Sequence, residues 1–330
     1  MATRPIVIGI QGDASNLTKA LKTAGDGVAG FAKKVGKLGI QAGAAFTASA
    51  VAVGVQGVRA AADFENAMNE VMTLLPQASE NVFGDLSGQV KDFSKEFGVL
   101  PTDVIPALYD ALSAGVPQDN VFEFLEVAQQ AARGGATDLT VALDGITSVV
   151  NSYGSDVISA TEASDLMFTA VRLGKTNFEE LSGSLFQVAP IAAGLGVEFG
   201  DVTAALANLT AQGTPTKVAA TQLKASFSEL AKEGTKADTN FRELAGKGFA
   251  QFIEEGGDVQ QAFQLMADGA ENSGISVLDL FGSIEAGQGV LALTADGGAA
   301  FSASLEEMDS SAGATGTAFD TMDQGLSANF

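Results

Sequence analysis

Residues 159–174 read Ser-Ala-Thr-Glu-Ala-Ser-Asp-Leu-Met-Phe-Thr-Ala-Val-Arg-Leu-Gly, and this stretch decides the fold class. Ser159 with Glu162 three residues later is a capping-box pair, in which side chains satisfy the free amides of a first helical turn. Leu166 and Ala170 then fall one turn apart on a single face, and Gly174 supplies a stop. A short amphipathic helix is thus written with its own beginning and end.

The same punctuation recurs on both sides. Thr176 with Glu179 forms a second capping pair, and Gly98, Gly115, Gly134, Gly154 and Gly213 are further stops. Pro101, Pro117, Pro190 and Pro215 are expected between helices, while Pro106 is expected in a first turn after Thr102 or Asp103, where its missing amide costs little. Phe122, Leu125 and Ala128, then Leu139, Leu143, Ile146 and Val150, supply more buried faces. Residues 76–233 therefore read as a compact helical core that cannot extend into one straight rod. Two related helical hairpins are expected in it. Leu86-Ser87-Gly88 leads to Asp103-Val104-x-x-Ala107-Leu108 and ends at Gly115; Leu181-Ser182-Gly183 leads to Asp201-Val202-x-x-Ala205-Leu206 and ends at Gly213, with a spacing three residues longer.

Upstream, residues 1–37 predict one short strand at 6–10, closed by Gly12-Asp13, and an amphipathic helix capped by Ser15 or Asn16. Residues 38–75 predict a long helix rich in small and hydrophobic residues, ended by Pro76. Its first part, 38–58, holds 21 consecutive uncharged residues between Lys37 and Arg59. As a helix it would be about 31 Å long, the thickness of a bilayer's hydrocarbon. Ala, Gly, Ser and Thr dilute its apolar character, and Gly39-x-x-x-Gly43 is the spacing that lets helices approach closely. Leu38, Gly39, Gly43, Phe46, Val51, Val55 and Val58 are accordingly candidate residues for helix packing in a multi-chain assembly or for conditional membrane insertion, beside the plainer reading of a buried helix. Downstream, residues 234–330 read as a Gly- and Asp-rich acidic helical region with helices near 258–270 and 302–308 and a linker or helix break at 310–316, and the natural protein is expected to continue beyond Phe330. The expected fold class is all-α, a compact bundle of short amphipathic helices with one long N-terminal hydrophobic helix and a single short strand.

Composition narrows function. There is no Cys, His or Trp, which removes thiol and imidazole chemistry, most zinc and haem ligation, and disulfides. No cofactor, metal or catalytic residue is expected. The net charge of -22 is uneven: residues 1–59 carry seven Lys or Arg against Asp13 and Asp26, a balance of +5, which leaves -27 for the rest. After Lys247 no basic residue follows, while thirteen acids run from Glu254 to Asp323. Such a surface repels phosphate backbones and excludes sequence-specific nucleic-acid binding. The first residues lack the pattern of a signal peptide, so folding in a cytoplasm is expected.

Apparent motifs dissolve in context. Gly25-Asp26-Gly27-Val28-Ala29-Gly30 matches a dinucleotide fingerprint but ends a predicted helix instead of following a strand. Gly174-Lys175-Thr176 ends like a phosphate-binding loop, yet Thr169 stands where that loop needs glycine. The neighbouring carboxylates Glu179-Glu180, Glu254-Glu255 and Glu306-Glu307 point in different directions on a helix and read as solvated surface.

Several ordered blocks carry a resemblance. Ala61-Ala62-Asp63-Phe64-Glu65-Asn66-Ala67-Met68 follows the small-residue helix; Leu108-x-x-Ala111-Leu112-Ser113-Ala114-Gly115 comes next. Further on stand Ala163-Ser164-Asp165-Leu166, Phe178-Glu179-Glu180-Leu181, Val188-Ala189-Pro190-x-Ala192-Ala193 and the stretch 206–213. Together with Glu307-Met308-x-x-Ser311-Ala312-Gly313-Ala314-Thr315, this pattern resembles the core of bacteriophage tail tape measure proteins. The resemblance implies a structural virion protein assembled in the host cytoplasm that fills the tail tube, sets tail length and leaves ahead of the genome. It also implies contacts with the tail tube protein, assembly chaperones, tail tip or baseplate hub proteins, further copies in a homo-oligomer, and a host membrane on ejection. A length ruler needs an extended helix, which the glycines and prolines of 76–215 forbid, so an anchoring or assembly module is the expectation here. The competing reading is a membrane-acting helical protein that inserts residues 38–58.

Overall fold

In a computed structural model of the chain, the described residues are 60–75 and 80–327, and every regular element among them is helical. The expected strand at 6–10, the amphipathic helix after it, and the segment with Leu38, Gly39, Gly43, Phe46, Val51, Val55 and Val58 lie outside the described residues. Among the described residues no helix is long and apolar enough to cross a membrane. The chain divides into two units, 1–69 and 70–330; residues 60–69 of the first are helical.

The second unit runs through α1 (Glu80–Phe97), α2 (Pro101–Ser113), α3 (Val121–Gly134), α4 (Leu139–Tyr153), α5 (Ala160–Leu173), α6 (Phe178–Gly194) and α7 (Phe199–Ala211). It continues with α8 (Thr216–Ala231), α9 (Lys236–Ala245), α10 (Phe249–Glu254), α11 (Val259–Asn272), α12 (Ile284–Leu293), α13 (Ala299–Asp309) and α14 (Ala314–Ser327). Helix α4 packs on α2, α3 and α6; α6 passes to α8, and α8 to α12. Helix α7 lies against α5, α8 and α13, while α14 returns to cover α3 and α5. A second apolar cluster joins the later helices: Phe227, Phe241, Phe249 and Phe263 are fully buried, with ring centroids 5.7 to 6.2 Å apart.

Local signals place most boundaries. Ser159 caps α5 by accepting from the Glu162 amide at 3.1 Å, and Asp258 caps α11 by accepting from the Gln261 amide at 2.7 Å. Three expectations shift. The cap of α6 is Asn177, not Thr176: its side chain accepts from the Glu180 amide, and the Thr176 hydroxyl turns to Thr216 at 2.7 Å. Helix α2 begins at Pro101, so Pro106 falls beyond its first turn. Pro190 lies within α6 on the exposed side, as does Phe186, the residue whose carbonyl loses its amide partner.

The turns of the two hairpins, α1–α2 and α6–α7, use the same geometry. Gly98 and Gly196 both have positive φ, 64° and 74°, and the following valine amides bond back to Ser94 and Ala192 carbonyls at 3.1 and 3.0 Å. Seventeen residues on in each case, Gly115 and Gly213 repeat the device with φ of 92° and 97°, two residues before Pro117 and Pro215. Only glycine adopts that backbone region without strain.

The tightest crossing joins α4 to α6. A Cβ at Gly145 would fall 2.7 Å from Ser182 Cβ and 3.0 Å from Met167 Cε. Gly145→Ala is therefore expected to lose about 1 kcal/mol, because overpacking of about 1–3 kcal/mol outweighs the gain in helix propensity of about 1 kcal/mol. Gly88→Ala, facing open space in α1, should gain stability instead. Thermal unfolding of the two variants checks the sign of each.

Candidate interaction site

The chain has carboxylates in abundance and uses several of them internally. Asp165, buried on α5, accepts from the Gly313 amide at 2.7 Å and the Thr315 amide at 2.8 Å, while Ser164 Oγ lies 2.8 Å from Thr315 Oγ1. The carboxylate thus sits on the N-terminus of α14, where free amides and the helix dipole favour negative charge. Glu229 on α8 does the same for α12, accepting from the Gly282 amide at 2.6 Å, the Ser283 amide at 2.7 Å and the Ser283 hydroxyl at 2.6 Å. Asp201 on α7 accepts from the Val259 amide, the first of α11, at 3.2 Å. Three acids on α5, α7 and α8 therefore staple the starts of three later helices. A fourth, Asp238, works locally, accepting from the Gly234 amide at 2.9 Å and Arg242 Nε at 2.7 Å.

The Asp201 staple sits under electrostatic load. Burial pushes its carboxyl up to about 7, with the nearby charges of Asp258, Glu198 and Asp309 acting in the same direction against the Val259 amide. Burial, then Asp201 and Glu198, also raise the Tyr153 hydroxyl, which has no hydrogen-bond partner; its ring meets Phe199 edge-on at 5.8 Å. A cleft of about 700 Å³ opens beside this junction, with Val157, Phe199 and Met308 as apolar walls and Glu162, Glu198 and Asp309 as acidic ones. No basic side chain lines it. Among the described residues no group of three metal-ligating side chains is placed to hold a metal ion. What Asp165, Asp201 and Glu229 do is hold backbone amides at the starts of later helices, a structural role inside the unit.

Glu179-Glu180, Glu254-Glu255 and Glu306-Glu307 are exposed, as their spacing implied, although Glu180 also takes the Thr216 hydroxyl at 2.8 Å. The stretch 310–316, read as a linker or break, does interrupt the helices between Asp309 and Ala314, but it is fixed in place by Asp165. Sequence reasoning missed the staples. One signal was available for Asp165: it is the only charged residue in the run 163–170, every residue of which is buried.

Ala163-Ser164-Asp165-Leu166 and Ser311-Ala312-Gly313-Ala314-Thr315, two of the blocks quoted above, thus meet through hydrogen bonds across about 150 residues. Comparison with known proteins gives that meeting a context. A probable tape measure protein of Clostridium phage phiCD119 is 31% identical over 304 residues, which take in 89% of this chain and 32% of the relative. The chain spans about a third of that relative's length. No solved structure matches. The profile of the phage-related minor tail protein family matches residues 87–254, the span that holds Asp165, Asp201 and Glu229. That match takes in half of the chain, and the chain belongs to the phage-related minor tail protein family.

Proposed function

We propose that this chain is the helical core of a tail tape measure protein, a non-catalytic component of the virion tail acting in tail assembly, tail-length determination and genome ejection. The observation that carries the reading is the 31% identity to a probable tape measure protein over 89% of the chain. The partners that follow are the tail tube protein, assembly chaperones, tail tip or baseplate hub proteins, and further copies of the same chain, brought together in the host cytoplasm. Within that role the unit 70–330 serves as an anchoring module. Its longest described helix, α1, has 18 residues, about 27 Å, and a ruler needs far greater uninterrupted length. The equal seventeen-residue spacing of positive-φ glycines, 98 to 115 and 196 to 213, supports reading the hairpins α1–α2 and α6–α7 as duplicates.

Deleting this coding region from the source genome and imaging the particles by electron microscopy tests the role: tails should be absent or of wrong length beside normal heads, and normal infectious particles would overturn it. An insertion separates anchor from ruler. Forty residues of helix placed in the exposed turn at 273–276 would lengthen tails by about 60 Å if this unit were the ruler. The anchoring reading expects tails of unchanged length, or none.

A further inference from the structure

We propose that copies of this chain associate head to tail, a basic and apolar face on α6 and α8 of one copy receiving an acidic and apolar face at 275–291 of the next. The proposal rests on the reading above, which names further copies of the chain as partners, and gives those copies the faces through which they meet; sedimentation of the chain tests it apart from the tail role.

The first face is an exception on an acidic unit. Among the described residues, Arg133, Arg172, Arg242, Lys95 and Lys247 are paired with carboxylates. Lys175, Lys217, Lys224, Lys232 and Lys236 are exposed and form no ion pair there, although the residues from 60 onward hold 38 acids. Four of them, Lys175, Lys217, Lys224 and Lys232, follow one surface. Lys217 and Lys224 are seven residues apart, two turns of α8, and Lys232 lies just past its end. The Thr176–Thr216 hydroxyl contact brings Lys175 beside Lys217. Along this row the surface is also apolar, with Val218 exposed on α8 and Phe186 of α6 exposed at 62%. The contact between Thr221 and Gln187 sets the two helix faces side by side. Exposed Glu233 follows Lys232 at the end of the row, Glu229 within α8 is taken up by the Gly282 and Ser283 amides, and Asp144, Glu179 and Glu180 line a cleft with Lys217, where the Glu180 carboxylate accepts from the Thr216 hydroxyl.

The second face has the complementary character. Ile275, Leu278, Ile284 and Leu291 are exposed, Ile284 at 67%, and the exposed acids Glu271, Asp279 and Glu285 stand among them. No basic residue follows Lys247, so nothing in this part of the chain offsets them. The 3-10 turn Val277–Leu280 and α12 carry this face, and α12 packs on α8 through Ser226, whose hydroxyl donates to the Ala286 carbonyl at 2.8 Å. The faces are therefore neighbours on one molecule, and in the proposed contact each meets its complement on another copy. Each contact leaves one free face of either kind, so association continues into a ring or a stack. Copies carrying -22 each repel as wholes, but at about 0.1 M salt that repulsion is screened beyond about 10 Å, and local pairing decides.

Sedimentation of the full chain over a hundredfold concentration range tests this. The wild-type mass should rise above 33.4 kDa with concentration and return to it at high salt. Lys217→Glu with Lys224→Glu should remain monomeric, as should Asp279→Lys with Glu285→Lys; all four positions are exposed, and circular dichroism matching wild type certifies the folds. Mixed in equal amounts, the two double variants present one native and one charge-reversed pair of faces, both of opposite charge, and should assemble together where neither does alone. A wild type that stays monomeric throughout, a variant that assembles as wild type does, or a mixture that stays monomeric would overturn the proposal.

Discussion

Replacing Asp165 with Ala is expected to cost about 3–5 kcal/mol and to release α14 from the bundle before the rest unfolds. Two amides, those of Gly313 and Thr315, lose a charged acceptor at 2.7 and 2.8 Å in a buried place. Hydrogen bonds to charged groups are worth about 1.5–3 kcal/mol each, and a buried donor left without a partner costs its desolvation besides. The other ties of α14 are weaker: the Arg133–Asp323 pair at 2.9 Å is partly exposed, and Arg133 lies 5.5 Å from the Phe319 ring centre. Hydrogen exchange over residues 310–323 should lose protection in Asp165→Ala well before α4 and α6 do. Asp165→Asn, which retains one acceptor, should fall between. Asp323→Ala should cost about 1 kcal/mol or less, the range for exposed pairs. Unchanged protection at 310–323 in Asp165→Ala would show that packing on α3 and α5 alone holds α14.

The elements legible from the sequence were those specified within a few residues. Ser159 and Asp258 cap the helices that their neighbours announced, and Gly115 and Gly213 end theirs with positive φ. Where two capping residues stand together, as Thr176 and Asn177 do, local pattern could not choose; the choice fell to Asn177 because Thr176 has a better partner in Thr216, forty residues away. Pro190 was read as a boundary because a helix interior usually rejects proline, yet its exposed position lets α6 run through. Where the staples land was illegible for a plainer reason. Their partners are backbone amides 148, 58 and 53 residues away, which no residue type marks. A sequence rich in Ser, Gly and Ala at 310–316 looks like a linker whether or not a distant carboxylate fastens it. The family blocks at 163–166 and 311–315 were visible as a resemblance, but only the fold shows them as one contact.

Asp201→Asn is expected to stabilise the protein above neutral pH and to change nothing below about pH 4. The sign follows from proton binding. The folded carboxyl titrates near 7 and the unfolded one near 3.8, so between those values the folded state holds a proton that the unfolded state has released. Stability from this group is therefore fully present below 3.8 and is lost as pH rises through about 7. Each tenfold difference in proton affinity between the two states corresponds to about 1.4 kcal/mol, and partial exposure of the residue reduces the whole effect to about 2–3 kcal/mol. Asparagine keeps an oxygen for the Val259 amide and carries no charge to repel Glu198, Asp258 and Asp309. At pH 8 the variant should melt several degrees above wild type; at pH 5 the gap should shrink steadily as the wild-type carboxyl gains its proton. Asp103→Asn, at the matching position of the first hairpin and exposed, should leave the melting profile with pH as it is in wild type. A wild type whose melting temperature, measured against Asp201→Asn, shows no dependence on pH between 5 and 8 would remove the strain assigned to this junction. The loss expected on the alkaline side would then have to come from the general repulsion of a chain carrying -22, which a single exposed substitution such as Asp103→Asn would relieve just as well.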